Sequence, residues 1–282
     1  RNALYVWTDT SLFTMRFVGS PFTFAYEQVG TNCGLIGKNA AVEVDGAAYW
    51  MSDNGFFRFT GKLESMDCFV EDYVYDDLNT TSNQFIYCGI NNLFGEVMWF
   101  YPTSASNVVD RCVIYSYLDS TANRPIWFTN ASTTFPRSAW IDSAIFGLPH
   151  ATQYDAGTDA SFDVTGNTDG TTIYYEHETG VNQIKGGVTT AIAANIISGD
   201  FDITQDQKQG ITFRGDGEHI MRVSRFLPDF ITQAGNTIVE LDLRNFPNQT
   251  AASSSLGPFT ITSSTNYQSC RARGRSVAVK IS

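Results

Sequence analysis

The densest grouping of reactive side chains is Tyr174-Tyr175-Glu176-His177-Glu178, two carboxylates flanking an imidazole. On a strand, Glu176 and Glu178 would share one face and His177 would point to the other. Paired carboxylates suit glycoside hydrolysis, which sets an acid and a base or nucleophile roughly 5–9 Å apart. That pair grips its substrate from opposite sides, which near neighbours on one strand do badly, so a structural or interface role is expected. Histidine is scarce, at His150, His177 and His219, and no G-x-S-x-G offers a serine nucleophile. No G-x-x-x-x-G-K-[ST] cradles a phosphate, and Gly215-Asp216-Gly217 is only a turn signal. Cys33, Cys68, Cys88, Cys112 and Cys270 are odd in number and lack C-x-x-C spacing, which predicts free thiols kept in a reducing cytoplasm. The reading is therefore no catalytic centre, no cofactor and no metal.

Charge gives a stronger signal. Arg271, Arg273 and Arg275 alternate with small residues, and period two would put three guanidinium groups on one sheet face. Such a face can grip DNA phosphates, or it can pair with carboxylates such as Asp229 or an acidic surface on a neighbouring subunit. Glu64, Asp67, Glu71, Asp72, Asp76 and Asp77 crowd into 14 positions, which reads as a solvated acidic loop or a receiver for a basic partner. Residues 1–207 hold 9 Lys and Arg against 24 Asp and Glu, a net of −15, whereas residues 208–282 hold 9 against 5, a net of +4. The whole chain stands at −11 with a pI near 4.6, which excludes duplex binding by its general surface. The protein–protein reading of the arginines is the favoured one.

The elements that must position these groups are short strands. Residues 39–44, 47–52 and 55–60 form a three-stranded antiparallel meander, turning at Asp45-Gly46 and at Asp53-Asn54-Gly55. Similar groups stand at 4–9, 12–17 and 23–29, and at 85–91, 96–102 and 110–118 with an outer strand at 126–128. A fourth is expected near 151–163 and 171–179, and residues 121–135 otherwise read as polar and irregular. Trp7, Trp50 and Trp99 recur 43 and 49 residues apart. A period of roughly 40–50 residues with about four strands per unit is that of β-propeller blades, which bury their faces against one another. Runs at 220–230, 237–244, 259–265 and 276–281 read as longer strands, with residues 248–257 as a polar surface loop. The fold class is thus all-β: propeller-like blades over 1–197 in an incomplete ring, and a C-terminal β-layer over 198–282. A composition of 43% hydrophobic and 14% aromatic residues is ample for a core. No apolar run approaches the roughly 20 residues of a membrane helix, so no membrane insertion is expected. The chain opens at Arg1 directly into a strand, which reads as part of a longer polypeptide.

Longer strings carry a likeness. AAYWMSDNGFFRFTG at 47–61 and CFVEDYVYDDLN at 68–79 resemble the tail hub or nozzle proteins of tailed bacteriophages, including the packaged-DNA stabilisation proteins of short-tailed phages. The resemblance continues in order through NNLFGEVMWFYP at 91–102, DRCVIYSY at 110–117, YYEHETG at 174–180, PDF at 228–230 and RARGR at 271–275. It implies a virion tail protein, assembled in the host cytoplasm as a homo-hexameric ring beneath the portal and its adaptor. Its partners would be those tail proteins and duplex DNA, which passes along the lumen without tight binding. It transfers no active site. In that setting Arg271, Arg273, Arg275, Asp229, Glu71, Asp72, Asp76 and Asp77 are candidates for the subunit interface or the DNA path. The alternative is a glycan-binding or glycan-cleaving propeller, a tail depolymerase or sialidase-like enzyme. Ser52-Asp53-Asn54-Gly55-Phe56-Phe57 is similar to the Asp-box turn of sialidases but lacks its spacer after Ser, and an Asp-Asn-Gly hairpin explains it without function.

Overall fold

A computed structural model describes residues 3–121, 124–130, 136–154, 172–185, 188–192, 194–203, 219–246, 249 and 251–282. The chain divides into two units, Arg1–Gly180 and Val181–Ser282. Its architecture is all-β, in several antiparallel sheets.

The first unit is a series of meanders in chain order. Sheet one is β1 (Ala3–Trp7), β2 (Ser11–Phe17) and β3 (Phe24–Thr31). Sheet two is β4 (Ala41–Val44), β5 (Ala47–Ser52), β6 (Gly55–Phe59) and β7 (Leu63–Met66). After α1 (Glu71–Tyr75) and a 3-10 stretch at Thr80–Phe85 comes sheet three: β8 (Tyr87–Asn91), β9 (Glu96–Tyr101), β10 (Arg111–Thr121) and β11 (Arg124–Thr129). Sheet four is β12 (Ala139–Ile141), β13 (His150–Tyr154) and β14 (Thr172–Glu176). The outer strand expected at 126–128 is the middle of β11, and the expected strand residues 155–163 and 171 lie outside the described residues.

Both expected hairpins of sheet two are present. The first turns through Asp45 and Gly46, both at positive φ (50° and 81°), as a two-residue turn with matching twist requires. The second differs: only Gly55 has a positive φ, 115°, and it pairs directly with Ser52.

Strand alternation explains the packing. On β5, Ala48 and Trp50 join a cluster with Leu12, Cys33, Phe57 and Phe59, against Tyr5 and Trp7 of sheet one. Tyr49 and Met51, on the other face, join Val97, Trp99, Tyr101, Val113 and Tyr115 of sheet three. Sheet three in turn packs Met98, Phe100 and Cys112 on Trp140 of sheet four. Each interface is thus a distinct apolar layer, and β5 is buried along its whole length because both its faces are covered. Trp50 and Trp99 occupy equivalent second strands and donate their indole N–H groups to the Cys33 and Ala40 carbonyls at 2.9 and 3.1 Å. Trp7 breaks the expected repeat: it lies on the first strand of its sheet and meets Trp50 edge-on at 5.6 Å.

One apolar face of this series is open. Register places Leu4, Val6, Phe13, Met15, Phe17, Phe24 and Tyr26 on the side of sheet one turned away from Trp50. Phe17 and Tyr26 are 71% and 65% exposed, values far from those of core aromatics.

The second unit holds the hairpin β15 (Asn182–Lys185) and β16 (Val188–Ala191), followed by β17 (Ile196–Ile197). Then come β18 (Met221–Phe226), β19 (Thr237–Arg244), β20 (Ser254–Ile261), β21 (Gln268–Gly274) and β22 (Ser276–Ile281). A sheet ordered β17-β22-β19-β20 packs on the β18–β21 ribbon through Met221, Val239, Leu241, Leu243, Ile261, Cys270, Ala272 and Val277. Residues 181–197, grouped with the blades on sequence grounds, belong to this unit, and Ile196 and Ile197 pair with β22. The expected loop at 248–257 is corrected in its second half. Ser254, Ser255 and Leu256 pair with β19, because the edge position lets their serine side chains face water while the backbone bonds continue.

Candidate interaction surface

The β18–β21 ribbon has an apolar side and an arginine side. Along β21, Cys270, Ala272 and Gly274 are buried while Arg271 and Arg273 are exposed. Arg222 of β18 stands directly opposite Arg273. A one-residue slip between Val223 and Arg225 then pairs Arg225 with Ser269, which turns Arg225 outward as well. Four guanidinium groups, at 222, 225, 271 and 273, therefore share one exposed face. Ile220, Arg222, Arg271, Ala272 and Arg273 line a hollow of about 420 Å³ there.

The expected trio is thereby revised. Arg275 lies beyond the end of β21, is half-buried, and its backbone N–H donates to the Arg244 carbonyl at 2.8 Å. Arg222 and Arg225 take part without having been singled out from the sequence. Asp229 is exposed, and among the described residues it forms no ion pair with an arginine. The ion pairs of this unit among the described residues are Arg244–Asp200 and Lys280–Glu240, so the arginine face is uncompensated within them. Like charges opposed across a ladder repel, and the unit retains them on its surface.

The acidic stretch is not a loop. It runs from β7 into α1, which Val74 and Tyr75 fasten to sheets two and three: Val74 is fully buried, and the Tyr75 hydroxyl donates to the Ser52 carbonyl at 2.6 Å. Asp72 and Asp76 are exposed one turn apart, beside exposed Phe69 and Tyr73. Glu71 is half-buried, and burial, with Asp72 and Asp67 nearby, pushes its carboxyl up. Asp77 accepts from the Ser104 hydroxyl at 2.6 Å. Glu64 alone is neutralised, by Arg58 at 2.6 Å, and that guanidinium holds its carboxyl low. Asp76 sits at the C-terminal end of the helix, where a negative charge gains nothing from the backbone dipoles.

The Tyr174–Glu178 grouping comes apart in the structure. Strand β14 ends at Glu176, which pairs with His150, and Glu178 has a φ of 61°. Glu178 instead accepts from the Asn91 side-chain amide at 3.4 Å, and Glu96 accepts from the same amide at 3.3 Å. The two carboxylates therefore do not share a strand face. His177 lies against Trp140 and accepts from Arg137 Nε at 3.1 Å. The Arg137 guanidinium also covers the Tyr175 ring at 3.8 Å. Burial, then Arg137 and His150, push the His177 imidazole down to about 4. Ser52 is buried under Tyr75 rather than presented to a ligand.

A second hollow, about 360 Å³, lies between sheets two and three and is lined by Arg58, Glu64, Tyr115, Tyr117 and Ser120 among others. These residues come from distant parts of the chain, so no local motif announces them. Among the described residues no three His, Cys, Asp or Glu are grouped to hold a metal, and no helix is long and apolar enough to cross a membrane. All five cysteines are free, with burial pushing the Cys68 thiol up to about 12. Comparison with protein-family models finds no match, and comparison with curated proteins finds none either.

Proposed function

We propose that this chain is a structural virion protein of a bacteriophage tail, of the hub or nozzle kind. It forms a ring below the portal and adaptor, extends the DNA channel and retains packaged DNA. The observation that carries the reading is the division of charge. Residues 1–180 hold 8 basic and 21 acidic residues, a net of −13, while residues 181–282 hold 10 and 8, a net of +2, with four arginines on one face of a two-stranded ribbon. A chain with opposite surfaces on its two units suits head-to-tail contacts between identical copies, and such contacts close into rings. An acidic lining also suits a conduit, since each basic side chain facing DNA adds a salt-dependent phosphate contact that slows sliding.

The blade reading belongs to the same proposal. Consecutive antiparallel meanders with aromatic layers between them are the construction of a propeller, and the open face of sheet one is what a further blade would cover. The second reading, a glycan-binding or glycan-cleaving propeller, draws on the Arg58, Glu64, Tyr115 and Tyr117 hollow.

Hydrolysis assays separate the two. The virion reading expects no saccharide release from polysaccharides by the purified chain, and Glu176→Gln with Glu178→Gln changes assembly or stability at most. Saccharide release by the wild type that Glu64→Gln, a change within that hollow, abolishes would replace the structural reading with the enzymatic one.

A further inference from the structure

We infer that the exposed face formed by Arg222, Arg225, Arg271 and Arg273 receives the α1 surface of a second copy, centred on Asp72 and Asp76. This rests on the ring reading above and names the contact that would build the ring. Both surfaces carry charge that the described residues leave unanswered: neither the four arginines nor Asp72 and Asp76 have an ion-pair partner among them. The spacings also agree. Arg271 and Arg273, two apart on a strand, stand about 7 Å from each other. Asp72 and Asp76, one helical turn apart, have Cβ atoms about 5–6 Å from each other. Two arginines can therefore meet two carboxylates in parallel, each in a two-pronged pair.

The surroundings fit as well. Phe69 and Tyr73 stand exposed beside the carboxylates, at 55% and 47%, and a planar guanidinium stacks on an aromatic ring while it pairs. Exposed Ile220 at the edge of the arginine hollow offers the matching apolar contact. Duplex DNA is the competing occupant of any arginine face. It is disfavoured here because it would bring phosphates to a chain whose other unit stands at −13. Charged contacts of this kind set register and encounter rate, so assembly should weaken as salt rises.

The test is charge reversal followed by mixing, read by sedimentation velocity on the full 282-residue chain. Wild type should assemble. Arg271→Glu with Arg273→Glu, and separately Asp72→Arg with Asp76→Arg, should each weaken assembly by roughly 30-fold or more. An equimolar mixture of the two variants should assemble again, because each then presents the charge the other has lost. Circular dichroism checks folding of both, and Arg222→Glu with Arg225→Glu provides an independent disruption of the same face. If wild type assembles and both reversed variants do so equally well, this contact is wrong and the ring reading stands. If wild type stays a single copy at every concentration, the ring reading falls and the inference with it. Failure of the mixture to assemble also overturns the contact. So does an intact ring of the arginine variant that has lost salt-dependent affinity for duplex DNA, which would give the face to nucleic acid.

Discussion

His177 illustrates what a residue's neighbours do to its chemistry. Read as sequence, it sits between two glutamates that would point to the other face of its strand. In the fold it faces Arg137, Trp140 and Tyr175, and it is pushed down to about 4. An imidazole depressed in the folded state leaves the unfolded chain to take the proton first, near pH 6.5. The fold keeps this contribution above pH 6.5 and loses it as pH falls towards 4. Unscreened, the loss is about 3 kcal/mol, and about 1–2 kcal/mol once the partly exposed ring is allowed for. Glu96 and Glu71, whose carboxyls burial pushes up, act in the opposite sense and favour the fold as pH falls. Comparing melting at pH 7 and pH 4.5 isolates the histidine: wild type should lose more stability than His177→Gln. Equal losses would show that His177 is not the titrating group. The cluster itself was legible, but its geometry was not, because the positive φ at Glu178 ends the shared face and nothing in YYEHE announces it.

Among the elements, hairpins were the most legible. Asp45-Gly46 gives a two-residue turn with both φ values positive, and its register carries Trp50 into the core. Apart from its chain neighbours, no heavy atom lies within 4 Å of where a Cβ on Gly46 would stand, so the cost of a side chain there is local backbone strain. Gly46→Val should therefore lower stability by about 1–3 kcal/mol, and Gly46→Asn, which tolerates this conformation, by much less. Denaturant melts of the two variants check it, and equal stability would remove strain as the explanation. Less legible were features set by partners across a ladder. The slip between Val223 and Arg225 puts Arg225 beside Arg271 and Arg273, whereas unbroken alternation from Arg222 predicts the opposite face. Ser254 and Ser255 read as loop residues because an edge strand with one wet side needs few apolar residues. Trp7 has the residue type of the repeat but the wrong strand, since spacing alone does not say which strand of a meander carries the ring.

At the scale of the whole molecule, the all-β class and the asymmetry of charge could be read directly from the sequence, because both depend on composition and period rather than on contact. The pairing of units 1–180 and 181–282 with those charges needed the structure, since β17 completes a sheet with β22 across more than eighty residues of chain. The open apolar face of sheet one was also hidden, because alternation marks Leu4, Phe13, Met15 and Phe17 as strand residues without saying whether a partner covers them. In the proposed function these surfaces serve a closed ring around a DNA conduit. Cryo-electron microscopy of the purified chain tests it most directly. The proposed function requires symmetric rings with an open axial channel lined mainly by the acidic residues of unit 1–180, and with the arginine face at the contact between copies. Single copies without cyclic symmetry, or rings whose channel is lined by Arg222, Arg225, Arg271 and Arg273, would contradict it.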